Sequence, residues 1–372
     1  MRKINVIFIS NELNHHQIPL CDSLYANEDV NFSFYSTGAI ANERLSLGYS
    51  QEIRDYHSLA NYNDESFRMK VDFADVVIIG SAPMRIVKNR LLSNKLTFTY
   101  SERIFKNVRY IISNFIKGTI FKRFINPSKF SSSYLLCASS YMAHDMKIIG
   151  AYKNKMFKWG YFPKCNYKCI NYRKNTGLIK IIWVGRLIKW KQPQHAIFVA
   201  AALKKNHINF DMEIIGDGPE MIRLKKMSKK LNVLDRCSFL GSLSNEDVLA
   251  RMYDADVFLF TSNYSEGWGA VLNEAMGAYC CVIANKRAGA TNYLIDDSKN
   301  GFIYNKWTEI VPIIEKLASD NDTLIKYKEN ASLTIEKIWN ADLAARRLVA
   351  VSKCILNGTE ENFESGPMSK IQ

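Results

Sequence analysis

The sequence predicts an α/β protein with two parallel β-sheets, and three observations indicate this fold. Short apolar runs alternate with longer segments that favour helix, which is the pattern of consecutive βαβ units. This alternation occurs twice, on either side of a division near residue 163. At 372 residues the chain is long enough for two or three domains, each with its own core.

The first half contains five runs that predict strands, at 4–10, 32–35, 76–80, 96–100 and 133–138. Helices are expected at 19–25, where Pro19 suits a first helical turn, and at 139–149. Residues 40–66 are polar and allow no assignment, and 157–163 is interpreted as a connector. We expect residues 1–163 to form an N-terminal α/β domain.

The second half repeats the pattern, with strands predicted at 179–184, 210–215, 237–239, 257–260, 281–284 and 302–304. The helices between and after them are expected at 193–206, 218–231, 245–253, 271–278 and 309–317. Residues 164–338 should therefore form a second, C-terminal α/β domain. A last helix at 339–356 is assigned to the N-terminal domain, and the polar tail 357–372 is expected to be disordered.

Composition limits the class of protein. Hydrophobic residues make up 47% of the chain, and no apolar run reaches the roughly 18 residues needed to span a bilayer. The apolar run at the N-terminus is short and interpreted as a first strand. The eight cysteines follow no disulfide framework, and Cys165 and Cys169 lack a second pair for a metal site, so we expect structural thiols in a reducing cytoplasm.

The net charge of +14 indicates an anionic partner. Residues 103–124 combine lysines and arginines with isoleucine, phenylalanine and tyrosine, a basic amphipathic pattern typical of a membrane interface. We therefore expect a cytoplasmic protein that is peripheral on the inner face of the membrane. A solvated basic face above an ordinary core remains the alternative.

The segment 257–277 carries the strongest functional pattern. An apolar strand leads into a polar loop, where Gly267 and Gly269 let the backbone approach a ligand, and a helix follows. Glu266 ends the loop and Glu274 lies in the helix, where a carboxylate can accept hydrogen bonds from two sugar hydroxyls. A helix N-terminus also suits a phosphate. The segment can hold a nucleotide by its phosphates and ribose.

A second loop supplies positive charge. Gly185 ends the strand 179–184, Arg186 follows, and Lys191 comes five residues later. Because the carboxyl ends of parallel strands bind ligands, both cations are expected over the site, where Arg186 can grip a diphosphate and Lys191 adds a point charge.

These motifs, with the turn Ile-Ile-Gly-Asp-Gly-Pro-Glu at 214–220 and the seven residues between Glu266 and Glu274, resemble the retaining glycosyltransferases of family 4. The resemblance covers 178–305 most strongly. In residues 1–160 it is limited to strand order and to 98–105, which resemble bacterial capsule, exopolysaccharide and O-antigen enzymes. It implies a GT-B fold, with two Rossmann-like domains whose parallel sheets face each other across a cleft and a C-terminal helix that crosses back. In this fold residues 1–163, with the helix 339–356, would be the acceptor domain and residues 164–338 the nucleotide-sugar donor domain.

The resemblance also implies roles. Arg186 and Lys191 bind the donor diphosphate, Glu266 approaches the transferred sugar, and Glu274 binds the ribose. Main-chain groups from the glycine loop hold sugar and phosphate, and the turn after the second strand lies near the base. The remaining donor-binding residues in these segments are Gly185, Gly216, Gly218, Pro219, Gly267, Trp268, Gly269, Ala270 and Val271.

The N-terminal half departs from that family. Its first loop has Asn-Glu-Leu-Asn-His-His-Gln in place of the usual glycine pair, which makes His16 and Gln17 candidate acceptor-side contacts. His16 is predicted to bind acceptor or phosphate, and a structural hydrogen bond is an equal alternative for it. Glu102 stands where the family has a histidine and is predicted to touch donor sugar or acceptor, with Arg103 beside it. For Glu102 a plain helix-start role is an equal alternative.

The sequence thus predicts a hexosyltransferase for surface polysaccharide synthesis. The donor would be a nucleotide-diphosphate sugar, UDP-linked by the family's preference, and the acceptor a lipid-linked saccharide. No Asp-x-Asp follows a strand, so we expect neither metal nor other cofactor. A UDP-sugar epimerase of the same fold is the main alternative. A nucleic-acid-binding protein lacks a recognition motif, and an NAD-dependent oxidoreductase lacks the glycine fingerprint.

Overall fold

A computed structural model describes residues 2–39, 54–106, 108–116, 118–165 and 177–371. The chain divides into two compact units. The first comprises Met1–Lys164 and Ile338–Gln372, and the second Cys165–Lys337. Each unit is built around one parallel sheet, and the predicted α/β class is confirmed.

The first unit has a seven-stranded sheet in the order β3-β2-β1-β4-β5-β6-β7, with every neighbouring pair parallel. Its strands are β1 Ile4–Ser10, β2 Val30–Ser36, β3 His57–Leu59, β4 Val76–Ile79, β5 Thr97–Ser101, β6 Ser133–Cys137 and β7 Met156–Lys158. The edge strands β3 and β7 were not predicted, because three residues leave no readable alternation.

The helices of the first unit are α1 Ile18–Tyr25, α2 Glu65–Phe73, α3 Lys88–Leu92, α4 Val108–Ile116, α5 Met142–Ile148 and, from the C-terminus, α13 Ala341–Leu356. Sequence reasoning missed α2 and α3. The α2 helix carries a usable signal, since the Asp64 side chain caps its N-terminus by accepting from Ser66 N. The central strands are buried on both faces, as Ile9, Ile79 and Phe98 show with 0% exposure each.

The second unit has a six-stranded parallel sheet in the order β10-β9-β8-β11-β12-β13. Its strands are β8 Ile179–Val184, β9 Phe210–Ile215, β10 Cys237–Gly241, β11 Val257–Phe260, β12 Cys281–Asn285 and β13 Phe302–Tyr304. All six match the predicted strands within two residues.

The helices of this unit are α6 Gln194–Lys205, α7 Met221–Lys230, α8 Asn245–Asp254, α9 Val271–Gly277, α10 Thr291–Leu294, α11 Ile310–Ser319 and α12 Asn321–Lys337. The 17-residue α12 was not predicted. It buries only Leu324, Ala331 and Ile335, so its sequence is polar almost all round and gives a weak helical period.

The C-terminal tail is ordered where the structure describes it, so the expected disorder of 357–372 is wrong as far as residue 371. Met368 N donates to Lys158 O at 2.8 Å, Lys158 N donates to Ser369 O at 2.9 Å, and Phe157 pairs antiparallel with Lys370. The tail thus covers the outer edge of β7 and buries Met368 completely. The tail supplies hydrogen bonds to a sheet edge that would otherwise be unpaired. The polar sequence of the tail gives no sign of this pairing.

The basic segment 103–124 contains α4 and all but the last residue of a short π-helix, Phe121–Ile125. Ile112, Ile116 and Phe121 are 53%, 80% and 51% exposed, so apolar side chains do face outward here. None of the helices in the described ranges combines the length and the hydropathy that a membrane crossing requires.

The cysteines that the structure describes are all free thiols. Cys169, which was considered together with Cys165 as half of a metal site, lies outside the described residues.

Candidate functional site

In the second unit, glycines bring the loops after β8 and β9 together. Gly216 has φ +125°, and a Cβ there would lie 2.0 Å from Gly185 O. A Cβ on Gly218 would lie 2.6 Å from Leu187 O. Leu187 N donates to Asp217 O at 2.8 Å, so the two loops pack main chain against main chain. The glycines are therefore required by close approach, which also fixes the main chain that carries the exposed Arg186.

Lys191 ends a 3₁₀ turn, Lys189–Lys191, after which Gln192 adopts φ +50°. The Thr261 hydroxyl donates to Lys191 O at 2.6 Å and accepts from Trp183 Nε1 at 2.8 Å. The main chain at Lys191 is thereby tied to β8 and to the loop that follows β11. Sequence reasoning found the lysine and missed these two supporting residues.

The side chains of Lys191 and Glu266 form an ion pair, with Nζ 2.5 Å from Oε2. Only 14% and 10% of these side chains are exposed. Glu266 is held by its own loop, since its N–H donates to Asn263 O at 3.0 Å. The structure thus brings together two residues predicted from motifs 75 positions apart.

The glycine loop continues to α9. Gly269 has φ +96°, and a Cβ there would lie 2.3 Å from the Phe260 ring. Trp268 is fully buried, and its indole donates to Asn273 Oδ1 at 2.8 Å. Among the predicted donor contacts, Trp268 can therefore offer only its main chain, as it faces the interior to anchor the loop.

The remaining predicted donor residues lie on these same segments. Gly218 and Pro219 form the turn before α7, Gly267 lies within the loop, Ala270 precedes α9 and Val271 begins it. Glu274 is half-buried in α9, where burial raises its pKa to about 7 against the opposing effect of Lys191. This carboxyl therefore changes charge near neutral pH.

In the first unit, a polar pocket of about 360 Å³ opens at the carboxyl ends of β1, β4 and β5. It includes three predicted acceptor-side residues, Gln17, Glu102 and Arg103. The rest of the polar lining comes from Ser10, Asn11, Asn14, Ser81, Tyr100, Ser101, Lys106, Asn114, Thr119, Arg123 and Tyr161. Hydroxyls, amides and charged groups in a cavity of this size suit a sugar ring better than an apolar ligand.

Glu102 is held in this pocket by two donors. Lys106 Nζ lies 2.6 Å from Oε2, and the Tyr161 hydroxyl donates to Oε1 at 3.1 Å. Both carboxylate oxygens keep further acceptor capacity. Tyr161 comes from the segment interpreted as a connector and was not predicted as a site residue.

Arg103 is tied to Asp145, a residue that sequence reasoning missed. The fully buried Asp145 lies 3.2 Å from Arg103 Nη2 and accepts from Ile104 N and Phe105 N at 2.9 and 3.1 Å. Burial raises the pKa of Asp145, and these donors oppose the rise. Asp145 therefore fixes the loop after β5 that carries Glu102. The main contact of Arg103 is its ion pair with Asp145, so Arg103 helps to hold this loop in place.

Arg123 has an inward role too. Its guanidinium donates to Ala82 O at 3.1 Å, to Tyr100 O at 3.2 Å and to Gly80 O. It thus joins the π-helix to the carboxyl ends of β4 and β5. Although Arg123 belongs to the basic segment 103–124, its guanidinium binds these main-chain carbonyls.

His16 lies beside His15 and 5.9 Å from the Tyr161 ring. Burial, with a contribution from His15, lowers the pKa of His16 to about 3. A neutral imidazole can exchange hydrogen bonds with a hydroxyl and carries no charge for a phosphate.

Comparisons with known proteins agree with this arrangement. The family described as "Glycosyl transferases group 1" matches residues 170–334. An uncharacterized glycosyltransferase of Methanocaldococcus jannaschii is 26% identical over 71% of this chain and 64% of its own length. A putative glycosyltransferase of Bacillus subtilis is 23% identical over 74% of this chain and 68% of its own. The similarity thus spans about two thirds of each relative.

The fold is shared with solved glycosyltransferases. Anabaena HepE in complex with UDP superimposes with a TM-score of 0.68 at 16% identity, covering 94% of this chain and 98% of HepE. WaaG, a glycosyltransferase involved in lipopolysaccharide biosynthesis, gives 0.61 at 16% identity over 91% and 98%. Residues 170–334 therefore match the group 1 glycosyltransferase model, and the chain shares the GT-B fold of these solved glycosyltransferases.

Proposed function

We propose that the protein is a retaining hexosyltransferase. It moves a hexose from a UDP-sugar to a lipid-linked saccharide in bacterial surface polysaccharide synthesis. The observation that carries the proposal is the Lys191–Glu266 pair, held at the carboxyl ends of β8 and β11 beside the exposed Arg186. Cations and a carboxylate at one sheet edge match a donor whose diphosphate is anionic and whose sugar carries hydroxyls.

The chemistry requires stabilisation of the departing nucleoside diphosphate. Negative charge grows on its phosphate oxygens as the bond to the sugar breaks, and fixed cations aimed there lower the barrier. Lys191 is already held by Thr261 through its main chain, so its ammonium needs only to exchange Glu266 for a phosphate oxygen. Arg186 binds the diphosphate from the neighbouring loop.

That exchange leaves Glu266 to accept hydrogen bonds from hydroxyls of the transferred sugar. Glu274 accepts from the ribose hydroxyls, and main-chain N–H groups from Gly267 to Val271 bind sugar and phosphate. Gly269 has no room for a side chain, because a Cβ there would meet the Phe260 ring. Retention of configuration is what the resemblance to family 4 implies.

No metal or other cofactor is part of the proposed reaction, because Arg186 and Lys191 supply the positive charge that a divalent ion would. Transfer should then be unchanged by a chelator such as EDTA. A loss of activity that Mg²⁺ or Mn²⁺ restores would contradict this part of the proposal.

UDP is the proposed nucleotide. Support comes from HepE, which shares the fold and has been solved in complex with UDP and with UDP-glucose. The acceptor is assigned to the polar pocket of the first unit, where Glu102, Gln17 and Arg103 are available to saccharide hydroxyls and His16 lies close by in the chain.

The lipid part of the acceptor places the protein at a membrane, and the segment 103–124 is proposed to dock it on the anionic inner face. Support comes from the exposed Ile112, Ile116 and Phe121 and from the exposed Lys122 among them. Docking is tested with Lys122→Glu and Ile116→Ser. Arg123 is left intact because its substitution would disturb the strand ends.

The donor assignment is tested by thermal shift with UDP-, GDP- and ADP-linked hexoses. A ligand at about 100 times its dissociation constant stabilises the native state by about 2.7 kcal/mol, so only the true donor should raise the Tm clearly. Arg186→Ala should remove the shift, and Lys189→Ala, an exposed cation in the same loop, should keep it. Equal shifts in both variants would contradict the role of Arg186.

A further inference from the structure

The second unit carries a basic surface that the donor site does not use. Helix α7, Met221–Lys230, buries Leu224 and Ser228 against the core. Its outward positions hold Ile222, Lys225, Lys226, Lys229 and Lys230, all of them exposed. They recur at intervals of three and four residues, so they share one side of the helix. We call this set the α7 face.

The charge of the α7 face is uncompensated. Residues 221–234 contain five basic side chains and no acid. Glu220 pairs with Arg223, and the next acid along the chain, Asp235, pairs with Lys204. In the described part of the chain the four lysines form no ion pair, and Lys225 lies 5.8 Å from the Phe239 ring centroid. Lysines four apart repel one another, and an external anionic surface would relieve that repulsion.

Exposed apolar side chains lie on the α7 face, at Ile222, and just after the helix, at Leu231 and Leu234. Ile222 is 70% exposed, Leu234 48% and Leu231 38%. A soluble polyanion would use the charges alone. An anionic bilayer uses both kinds of group, because lysines meet the headgroups and an aliphatic side chain enters the interface.

We propose that the α7 face is a docking surface for an anionic lipid membrane, separate in sequence and in unit from the segment 103–124. The donor domain then carries its own membrane contact. The inference does not depend on which sugar is transferred, and vesicle binding is measured without any substrate.

The test uses the full chain and co-sedimentation with phosphatidylcholine vesicles, with and without one third phosphatidylglycerol. The variant Lys225→Gln/Lys229→Gln/Lys230→Gln removes three charges from the α7 face and keeps helix-forming residues. The matched control, Lys306→Gln/Lys316→Gln/Lys326→Gln, removes three exposed charges elsewhere in the same unit. Since both variants have the same net charge, a difference between them reports position.

Each lysine close to an anionic surface contributes about 1 kcal/mol, or about fivefold in partition, so the loss of three should weaken binding to anionic vesicles about 100-fold relative to wild type. The control should change by less than about threefold, because screening weakens charges distant from the surface. Ile222→Ser should weaken binding further without changing the salt dependence. Equal losses in the two triple variants would overturn the proposal. So would α7-dependent binding to a random-sequence oligonucleotide with vesicle binding unchanged.

Discussion

Substitutions in the Lys191–Glu266 pair should affect the stability and the activity of the protein differently. At an effective dielectric of about 20, unit charges 2.5 Å apart attract by about 7 kcal/mol, and desolvation offsets most of this. With only 14% and 10% of the side chains exposed, Lys191→Met leaves Glu266 as a nearly buried, unpaired carboxylate. We expect this to lower the free energy of unfolding by about 3 kcal/mol.

The reciprocal change is milder. Glu266→Gln leaves an amide that still accepts a hydrogen bond, and the flexible lysine can turn its ammonium toward water, so we expect a loss of about 1.5 kcal/mol. The double variant contains no unpaired charge and should lose about 2 kcal/mol, less than the sum of the single losses. The expected coupling is therefore about 2.5 kcal/mol.

Urea denaturation of the four proteins measures this cycle, and turnover of the UDP-sugar measures function. All three variants should lose at least about 100-fold in kcat, because each lacks a group that acts at the reacting bond. The double variant should thus regain stability without regaining activity. Coupling below about 0.5 kcal/mol would refute the pairing seen in the structure, and an active Lys191→Met protein would refute its role on the leaving group.

Three further predictions concern other parts of the site. Gly216→Ala should lower the free energy of unfolding, measured in urea, by at least about 2 kcal/mol more than Gly241→Ala. Both glycines have positive φ, but a Cβ at Gly216 would lie 2.0 Å from Gly185 O, whereas one at Gly241 would have no atom within contact distance. Equal losses would contradict the close approach of the loops. The affinity for a UDP-sugar, measured by calorimetry, should fall about tenfold from pH 8 to pH 6, because the pKa of Glu274 is about 7 and only its charged form accepts from both ribose hydroxyls. The fall should disappear in Glu274→Gln. If the variant shows the same pH profile as wild type, another group causes the pH dependence. Glu102→Gln should raise the KM for the acceptor and leave the Kd for the donor unchanged, whereas an altered donor Kd would place Glu102 at the donor.

The second unit was readable from sequence because several of its buried strands, such as 257–260 and 281–284, are continuous apolar runs. The run 257–260 and the spacing from Glu266 to Glu274 are sufficient to predict a strand, a ligand-binding loop and a helix in that order. The short edge strand β7, the polar helix α12 and the ordered tail were not readable. Their formation depends on main-chain pairing and tertiary contacts, which leave little trace in hydrophobic periodicity.

The residues that support the site could not be predicted from the sequence either. Asp145 is an ordinary acid in the first turn of a helix until its carboxylate is seen to accept from Ile104 and Phe105. Arg123 belongs to a basic run, and only the structure shows its guanidinium bound to strand-end carbonyls. In both cases the partner lies 20 or more residues away, so spacing along the chain carries no signal.

The most direct test of the central claim is the anomeric form of the sugar released from UDP-α-glucose with water as acceptor. Proton NMR, recorded at high enzyme concentration before mutarotation, distinguishes the two anomers without knowledge of the natural acceptor. A retaining UDP-hexose transferase predicts that α-glucose appears first, and that Glu266→Gln releases none. First appearance of β-glucose, or release that does not depend on Glu266, would contradict it.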